Sequence, residues 1–305
     1  MAETPPTWIE ALRSLDPDAE AAPGFRAADF LALHDHLDAP PGAVRMDAVE
    51  YARVDGQPLV LDVYARAGAS ERRPAVLFVH GGGWAGGCRT FHSRHCAALA
   101  ELGYVAATAD YRLVPQVRWP EPLLDAKRAL RWLRANAARL GADPDRIVIA
   151  GGSAGGHLAA MVALTPGRFE PAGAPDVPST VSGAVIWYPC ADMESLLAHP
   201  DGGPMVEAFL GSRDAETLRE ASPLWQVAAG APPFLTMTGS ADQLTTEADI
   251  RRLHAAFDAC GVRNRLRVFD GADHAFDLAP GGWEPCFAEM CAFLDEVVGA
   301  AVPAG

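Results

Sequence analysis

The stretch from Arg146 to Val162 constrains the fold more than any other part of the chain. It begins with a β-branched run typical of a buried strand and ends with an Ala/Leu/Met-rich run typical of a helix. Between the two runs lies Ser153, in a Gly-x-Ser-x-Gly pattern. A serine on so tight a strand-to-helix turn adopts unusual backbone angles, which flanking glycines permit sterically. We predict that Ser153 is a nucleophile at the end of a strand; a plain Gly/Ser loop is the alternative.

Predicted strands and helices alternate along most of the chain. The turn dipeptide Asp55-Gly56 indicates an antiparallel hairpin of residues 44–54 and 57–65. Later strands are predicted over residues 74–79, 104–110, 183–187, 233–238 and 264–269. Helices are predicted over residues 94–102, 121–140, 246–260 and 283–298. This alternation predicts an α/β fold with a mostly parallel sheet covered by helices on both faces.

Two segments do not fit the alternation. Residues 1–43 carry scattered apolar side chains among prolines and acids, which indicates short amphipathic helices lying on a larger body. Residues from about 192 to 225 are interrupted by proline and glycine and are partly helical by pattern. We interpret the first segment as an N-terminal cap segment. The second is interpreted as a cap insertion within a main domain of residues 44–305.

Composition narrows the classes of partner. A formal net charge of −14 argues against nucleic acids and anionic membrane surfaces as partners. No stretch approaches the apolar length of a membrane span, and the first 20 residues lack the pattern of a signal peptide, so we expect a cytoplasmic protein. The six cysteines show no metal-binding spacing. We therefore expect free thiols, no metal site and no cofactor.

A serine nucleophile needs a base, and the base needs an acid that fixes its tautomer. Sites in open parallel sheets gather at the carboxyl ends of the strands, where the last two predicted strands lead to Asp242 and His274. The order Ser153, Asp242, His274 is the one expected when the nucleophile lies on a strand-to-helix elbow. Asp273 is the competing acid, but adjacent residues of an extended loop point apart, so we predict Asp242.

The developing oxyanion needs backbone donors that side chains leave accessible. The sequence His-Gly-Gly-Gly at residues 80–83 provides such a stretch, directly after a predicted strand. We expect the N–H groups of Gly82, Gly83 and Ala154 to form an oxyanion hole. Phosphate binding is the alternative for a glycine-rich loop, but the run lacks both a Lys-Ser/Thr ending and a Gly-x-Gly-x-x-Gly pattern.

Taken together, these motifs resemble the carboxylesterases of the hormone-sensitive-lipase-like group. The resemblance rests on residues 80–84 (HGGGW), 110–113 (DYRL), 129–133 (ALRWL) and 151–156 (GGSAGG). It implies the α/β-hydrolase fold: a mostly parallel eight-stranded sheet, helices on both faces and a small helical cap. It also implies an ester hydrolase with the predicted triad.

The chain departs from the usual pattern of that group around the nucleophile. Gly152 stands where an aspartate is usual, and His157 stands where an asparagine is usual. This variant looks more like the feruloyl-esterase-like and kynurenine-formamidase-like branch. The first hypothesis is therefore a carboxylesterase, and an amidase or formamidase with the same triad is the second. A non-catalytic binding protein is the third, although such a protein would be expected to lack the serine or the histidine.

The substrate is expected to be a small or medium-sized ester held in an apolar pocket under the cap. A homodimer stays open beside a monomer. Any pocket candidate can instead join cap to core. The candidate pocket residues are Trp8, Phe30, Trp84, Met193, Leu197, Met205 and Phe209.

Overall fold

The computed structural model describes residues 20–22, 25–26, 37–67, 72–278 and 281–300. Its described strands are β1 Glu20–Ala22, β2 Phe25–Arg26, β3 Ala43–Val54, β4 Gln57–Arg66, β5 Arg73–Val79, β6 Val105–Ala109, β7 Ala142–Gly152, β8 Gly183–Trp187, β9 Phe234–Gly239 and β10 Asn264–Phe269. Its described α-helices are α1 Ser93–Glu101, α2 Glu121–Ala135, α3 Ala137–Leu140, α4 Ala154–Leu164, α5 Met193–Ala198, α6 Gly202–Leu210, α7 Ala215–Glu220, α8 Glu247–Ala259 and α9 Trp283–Val298. Short 3₁₀ helices cover Arg89–His92 and Pro223–Gln226.

Among the described residues, eight strands form one sheet in the order β10-β9-β8-β7-β5-β6-β4-β3. The strands from β10 to β6 run parallel to one another. The hairpin of β3 and β4 joins them antiparallel, through β4 and β6. The predicted α/β fold with a mostly parallel eight-stranded sheet is therefore confirmed.

The central strands are buried on both faces because helices cover both. Alternate side chains of β5 belong to two hydrophobic clusters, with Leu77 in one and Phe78 in the other. The first cluster includes apolar residues of α2, α4 and α8, and the second includes residues of α1 and α9. The functional loops are thus attached to strands that the core holds rigidly.

The insertion predicted over residues 192–225 contains α5, α6, α7 and the second 3₁₀ helix. Many of its apolar residues, among them Val206 and Leu218, belong to the same hydrophobic cluster as the sheet. Most of residues 1–43 lies outside the described part of the chain. In the described part of this segment, β1 and β2 pair antiparallel, although the sequence predicts short helices there. In the described part of the chain, no helix has the length and apolar character needed to cross a membrane.

Candidate active site

The three predicted triad residues follow three different strands at the same edge of the sheet. Ser153 follows β7, Asp242 follows β9 and His274 follows β10. Because β7, β9 and β10 run in the same direction, their carboxyl ends lie together. The sheet therefore brings His274 into hydrogen-bond contact with Ser153, 121 residues away along the chain, and with Asp242, 32 residues away.

Ser153 lies on a strained turn between β7 and α4. Its φ of 54° and ψ of −123° are unusual for a residue with a side chain. The turn is possible because Gly155 has no Cβ. A Cβ at this position would overlap the carbonyl oxygen of Val79, so only glycine allows α4 to approach β5 this closely. The Ser153 N–H donates to the Trp187 carbonyl oxygen at 2.9 Å, which fixes the turn. The predicted strand, elbow and helix are all present.

A chain of hydrogen bonds connects the three side chains. The His274 Nε2 atom lies 2.9 Å from Ser153 Oγ, and its Nδ1 atom lies 2.8 Å from Asp242 Oδ2. A neutral imidazole whose Nδ1–H donates to the carboxylate leaves Nε2 free to accept the serine hydroxyl. In this arrangement His274 can take the Ser153 proton.

Asp242 is held by its own loop as well as by His274. Its Oδ1 atom accepts from the N–H groups of Leu244 and Thr245 at 2.9 and 2.8 Å, and Oδ2 lies 2.8 Å from the Thr245 hydroxyl. Burial by itself would raise the pKa of Asp242, but the hydrogen bonds from His274 and Thr245 outweigh it and lower the pKa. Asp273, the competing candidate, instead accepts from the backbone N–H of His274 at 2.7 Å. Geometry therefore joins Asp242, and not Asp273, to the imidazole.

The glycine-rich loop after β5 lies beside Ser153. Gly82 has a φ of +115°, and a Cβ on it would overlap the carbonyl oxygen of Gly86. The Gly82 carbonyl accepts from the N–H groups of Ala85 and Gly86 at 3.1 and 2.9 Å, which makes the loop compact. Ala154, at the first position of α4, has one of the N–H groups that a helix leaves without an internal acceptor.

A cavity of about 410 Å³ opens at Ser153 and His274. This volume lies within the range of small-molecule sites. Gly82, Gly83 and Gly152 line it near the serine. Most of its wall is apolar. The apolar side chains come from the segments after β5, β9 and β10 and from the insertion: Phe91, Leu244, Ala275, Leu278 and Met205.

The predicted pocket residues differ in where they lie. Met205 lines the cavity. Trp84, Met193 and Phe209 do not, because they are fully buried in the hydrophobic core, where the Trp84 and Phe209 rings stack at 4.3 Å. Leu197 packs on the same core and is also absent from the cavity wall. These four residues therefore do not line this cavity and instead pack in the core. Trp8 and Phe30 lie outside the described residues.

His157, which departs from the motif pattern noted in the sequence, serves the packing of α4. Its Nε2 atom lies 2.7 Å from the Ala221 carbonyl, and Nδ1 accepts from the Trp84 indole at 3.3 Å. Burial lowers the pKa of His157 to about 4, so the ring is neutral at pH 7. It therefore links α4 to the insertion and takes no part in the hydrogen-bonded chain at Ser153.

Two polar residues of the cavity are not predicted from the sequence. Tyr188 directly follows β8, and Asp277 lies three residues after His274; both line the cavity. The position of Tyr188 at a strand end is the kind of signal that identified Asp242, but a tyrosine there has no triad role. Asp277 lies in the loop of the predicted base, but only the folded loop brings its side chain to Tyr188.

In the described part of the chain, no group of three His, Cys, Asp or Glu side chains has a geometry that could hold a metal ion. All six cysteines are free thiols, and three of them are buried: Cys96, Cys190 and Cys286.

The chain is similar to a known protein family and to several esterases. The BD-FAE family model matches residues 61–257. Esterase LipQ of Mycobacterium tuberculosis is 33% identical over 279 residues, which cover 86% of this chain and 65% of LipQ. The probable carboxylic ester hydrolase LipM of the same organism is 36% identical over 180 residues, which cover 56% of this chain and 42% of LipM. The chain thus spans less than two thirds of the length of these curated relatives.

Among solved structures, a thermophilic esterase of Thermogutta terrifontis with bound propionate is similar to this chain. The TM-score is 0.75 at 32% identity, over 87% of this chain and 97% of the esterase. The same esterase phosphonylated by sarin gives a TM-score of 0.75 at 32% identity, over 86% and 97%. These matches confirm the α/β-hydrolase fold and the resemblance predicted from the sequence motifs. The chain belongs to the BD-FAE family of hormone-sensitive-lipase-like α/β hydrolases.

Proposed function

We propose that this protein is a serine hydrolase that cleaves carboxylic esters of small to medium-sized substrates. Ser153 is the nucleophile, His274 the base and Asp242 the acid that orients the base. The observation that carries the proposal is the hydrogen-bonded chain from Ser153 through His274 to Asp242 at the mouth of an apolar cavity. The names of the relatives, which are esterases and ester hydrolases, support the reaction class.

In the proposed reaction, Ser153 Oγ attacks the ester carbonyl carbon while its proton passes to His274 Nε2. The tetrahedral oxyanion then collapses, the bond to the alcohol oxygen breaks, and Nε2 returns the proton to the departing alcohol. Water repeats the sequence on the acyl-enzyme: its proton passes to Nε2 and its oxygen attacks the acyl carbon. The carboxylic acid is released, and Ser153 regains its proton. Asp242 stays ionised throughout and stabilises the imidazolium.

The proposed oxyanion hole consists of the N–H groups of Gly82, Gly83 and Ala154. Two observations support it: the glycines line the cavity beside Ser153, and Ala154 begins α4. A helix N-terminus also carries a partial positive charge, which favours a negative oxygen. Such preorganised donors account for several kcal/mol of transition-state stabilisation in acyl transfer, about 3–4 kcal/mol for one donor.

The acyl group that fits this site is expected to be short. The cavity is mainly apolar, and its volume of about 410 Å³ lies towards the lower end of the range for small-molecule sites. Solved structures of the similar Thermogutta esterase contain propionate and butyrate. The cap assignment of residues 1–43 and 192–225, the homodimer and the cytoplasmic location stay predictions from the sequence.

The first test replaces the nucleophile. Ser153→Ala should keep the fold and remove nearly all ester hydrolysis, with a loss on the order of 10⁴-fold or more, because no acyl-enzyme can form. Ser182→Ala is a matched control, since Ser182 precedes β8 at the opposite end of the sheet and its hydroxyl donates to the Asp145 carbonyl at 2.9 Å. Mass spectrometry after fluorophosphonate treatment should find one adduct in wild type and in the control and none in Ser153→Ala. Activity of Ser153→Ala within tenfold of wild type would contradict the proposal.

The second test separates ester from amide chemistry. We expect kcat/KM on p-nitrophenyl esters to peak at short acyl chains and to exceed that on N-formyl and anilide compounds. Higher kcat/KM on N-formyl compounds than on every simple ester would instead select the formamidase alternative. A peak at chains of about 14 carbons or more would contradict the cavity argument.

A further inference from the structure

A second carboxylate lies near the base, in a hydrogen bond that the proposed mechanism does not use. The Asp277 Oδ1 atom accepts from the hydroxyl of Tyr188. Asp277 is 1% exposed and Tyr188 is 3% exposed, yet both line the cavity that contains Ser153. This pair ties the loop that carries His274 to the end of β8, because Asp277 and His274 are three residues apart.

Tyr188 contacts the proposed triad directly. Its ring centroid lies 4.6 Å from that of His274. Its carbonyl oxygen lies 3.2 Å from the Thr245 hydroxyl, which also lies 2.8 Å from Asp242 Oδ2. The backbone at Tyr188 is strained, with a φ of +34°, and its N–H donates to the Met237 carbonyl at 2.7 Å. Such strain in a bulky residue persists where the surroundings fix it, as they do at functional sites.

The residue before the nucleophile provides the space for this tyrosine. A Cβ on Gly152 would lie 3.0 Å from the Tyr188 hydroxyl oxygen, closer than most real contacts. A larger side chain at Gly152 would therefore displace the hydroxyl that bonds to Asp277. The departure from Gly-Asp-Ser noted in the sequence is thus coupled to the Tyr188–Asp277 pair.

The charge of Asp277 has no described counterion of lysine or arginine. Burial raises the pKa of Asp277 to about 6, against the hydrogen bond from Tyr188 and the nearby His274, which both lower it. The carboxyl group is therefore mainly ionised at pH 8. A buried carboxylate without a cation beside it is costly to a fold, which points to a role in function.

We propose that Tyr188 and Asp277 are positioning residues for His274: they fix its loop against Ser153 and stabilise the imidazolium that forms when Ser153 loses its proton. The inference rests on the proposed serine-hydrolase function. Asp242 supports the imidazole through Nδ1, and Asp277 supplies a second negative charge from the cavity side. The two carboxylates thus share the stabilisation of one transient cation.

The titratable groups around this pair come from several elements. Tyr188 and His274 face Asp277 from the end of β8 and from its own loop, and the Cys286 thiol on α9 interacts with it electrostatically. The His92 ring lines the same cavity, and burial keeps its pKa well below the usual value, so it is neutral. Asp242 lies on the other side of His274.

The test is Asp277→Asn, which keeps the shape and the acceptor for Tyr188 but removes the charge. At pH 8, kcat on a short p-nitrophenyl ester should fall about 3- to 30-fold with little change in KM, since a charge that acts at a distance contributes less than a direct partner. The ratio of wild-type to variant kcat/KM should shrink as the pH drops below about 6, where Asp277 of the wild type is protonated. The Tm at pH 8 should rise, because burial disfavours the charge that the substitution removes.

Two further variants serve as comparison and control. Tyr188→Phe removes the hydrogen bond to Asp277 but keeps the ring, and it should lower kcat as Asp277→Asn does. Asp270→Asn removes an exposed carboxylate from the same loop and should change neither kcat nor the pH profile, since water screens its charge. A purely structural role of Asp277 predicts a lower Tm with unchanged kcat. That outcome, or an unchanged kcat at pH 8 whatever the Tm, would overturn the proposal.

One measurement does not depend on turnover. An NMR titration of the His274 imidazole, in a Ser153→Ala background, should have its midpoint at lower pH when Asp277→Asn is added. The same midpoint with and without Asp277 would overturn the inference even if the protein is an esterase. If wild type cleaves no ester but the midpoint moves, the proposed function fails and the electrostatic link between Asp277 and His274 stands.

Discussion

At the scale of single residues, two aspartates beside His274 differ in role because their surroundings differ. Asp242 is 3% exposed and lies 2.8 Å from His274 Nδ1, whereas Asp273 bonds to the backbone of its neighbour. Proximity in sequence therefore does not determine which carboxylate orients the base. The deciding factor is that β9 and β10 are neighbours in the sheet.

This difference leads to a test by amide substitution. Asp242→Asn should favour the wrong imidazole tautomer and lower kcat by about 10³- to 10⁴-fold while the protein stays folded. Asp273→Asn should cost less than tenfold, because its oxygen acceptor for the His274 N–H remains. Steady-state kinetics with circular dichroism spectra of both variants make the comparison. If Asp273→Asn is the more damaging substitution, the assignment of the acid is wrong.

At the scale of elements, the loop of residues 80–87 depends on glycines for its shape. Gly82→Ala would overlap the Gly86 carbonyl and move the proposed oxyanion donors, so we expect kcat to fall about 10²- to 10³-fold. Gly167→Ala is a matched control, because Gly167 also has a positive φ, of +79°, but open space around it. The control should lower the Tm and leave kcat unchanged. Equal effects of the two variants on kcat would contradict a special role of the loop.

Local signals predicted most of these elements well. Thr246 caps α8, with its hydroxyl accepting from the Asp249 N–H at 3.3 Å, and α9 spans the predicted residues 283–298. The helix predicted over residues 121–140 is interrupted at Asn136, which lies between α2 and α3. The triad residues at the strand ends could likewise be predicted, because the order of the strands along the chain and the spacing of the motifs are read directly from the sequence.

The cavity wall was not predictable in the same way. Trp84 and Met193 are large and apolar, as pocket residues often are, but apolar character does not distinguish a cavity wall from a core. Tyr188 and Asp277 meet only because the loop after β10 folds back to the end of β8. Such contacts depend on the tertiary arrangement and have no periodic signature in the sequence.

At the scale of the whole molecule, buried histidines make the fold sensitive to acid. The His95 ring packs among Phe78, Trp187, Trp283 and Phe287, and no described residue accepts from or donates to its nitrogens. Burial lowers the pKa of His95 to about 3. The unfolded chain binds this proton near pH 6.5, so the contribution to stability is complete above that pH and declines as the pH falls towards 3.

Replacement of this histidine should reduce the acid sensitivity. We expect His95→Phe to resemble wild type in unfolding free energy at pH 8, within about 1 kcal/mol, because the site is aromatic and offers no hydrogen-bond partner. At pH 5 the variant should be more stable than wild type by about 2 kcal/mol, since 1.5 pH units of proton uptake by the unfolded state are removed. Urea unfolding at both pH values measures this. Equal losses of stability between pH 8 and pH 5 would refute the role of His95.

The insertion after β8 belongs to the same hydrophobic cluster as the sheet, and it also contributes Met205 to the cavity wall. The insertion therefore contributes both to the stability of the core and to the shape of the cavity. An exchange of this segment for that of another esterase, made to alter substrate range, would also replace part of the core that α4 packs against. In this architecture, specificity and folding stability are inherited together, so new substrate ranges are reached more readily through single residues of the cavity wall than through exchange of the whole insertion.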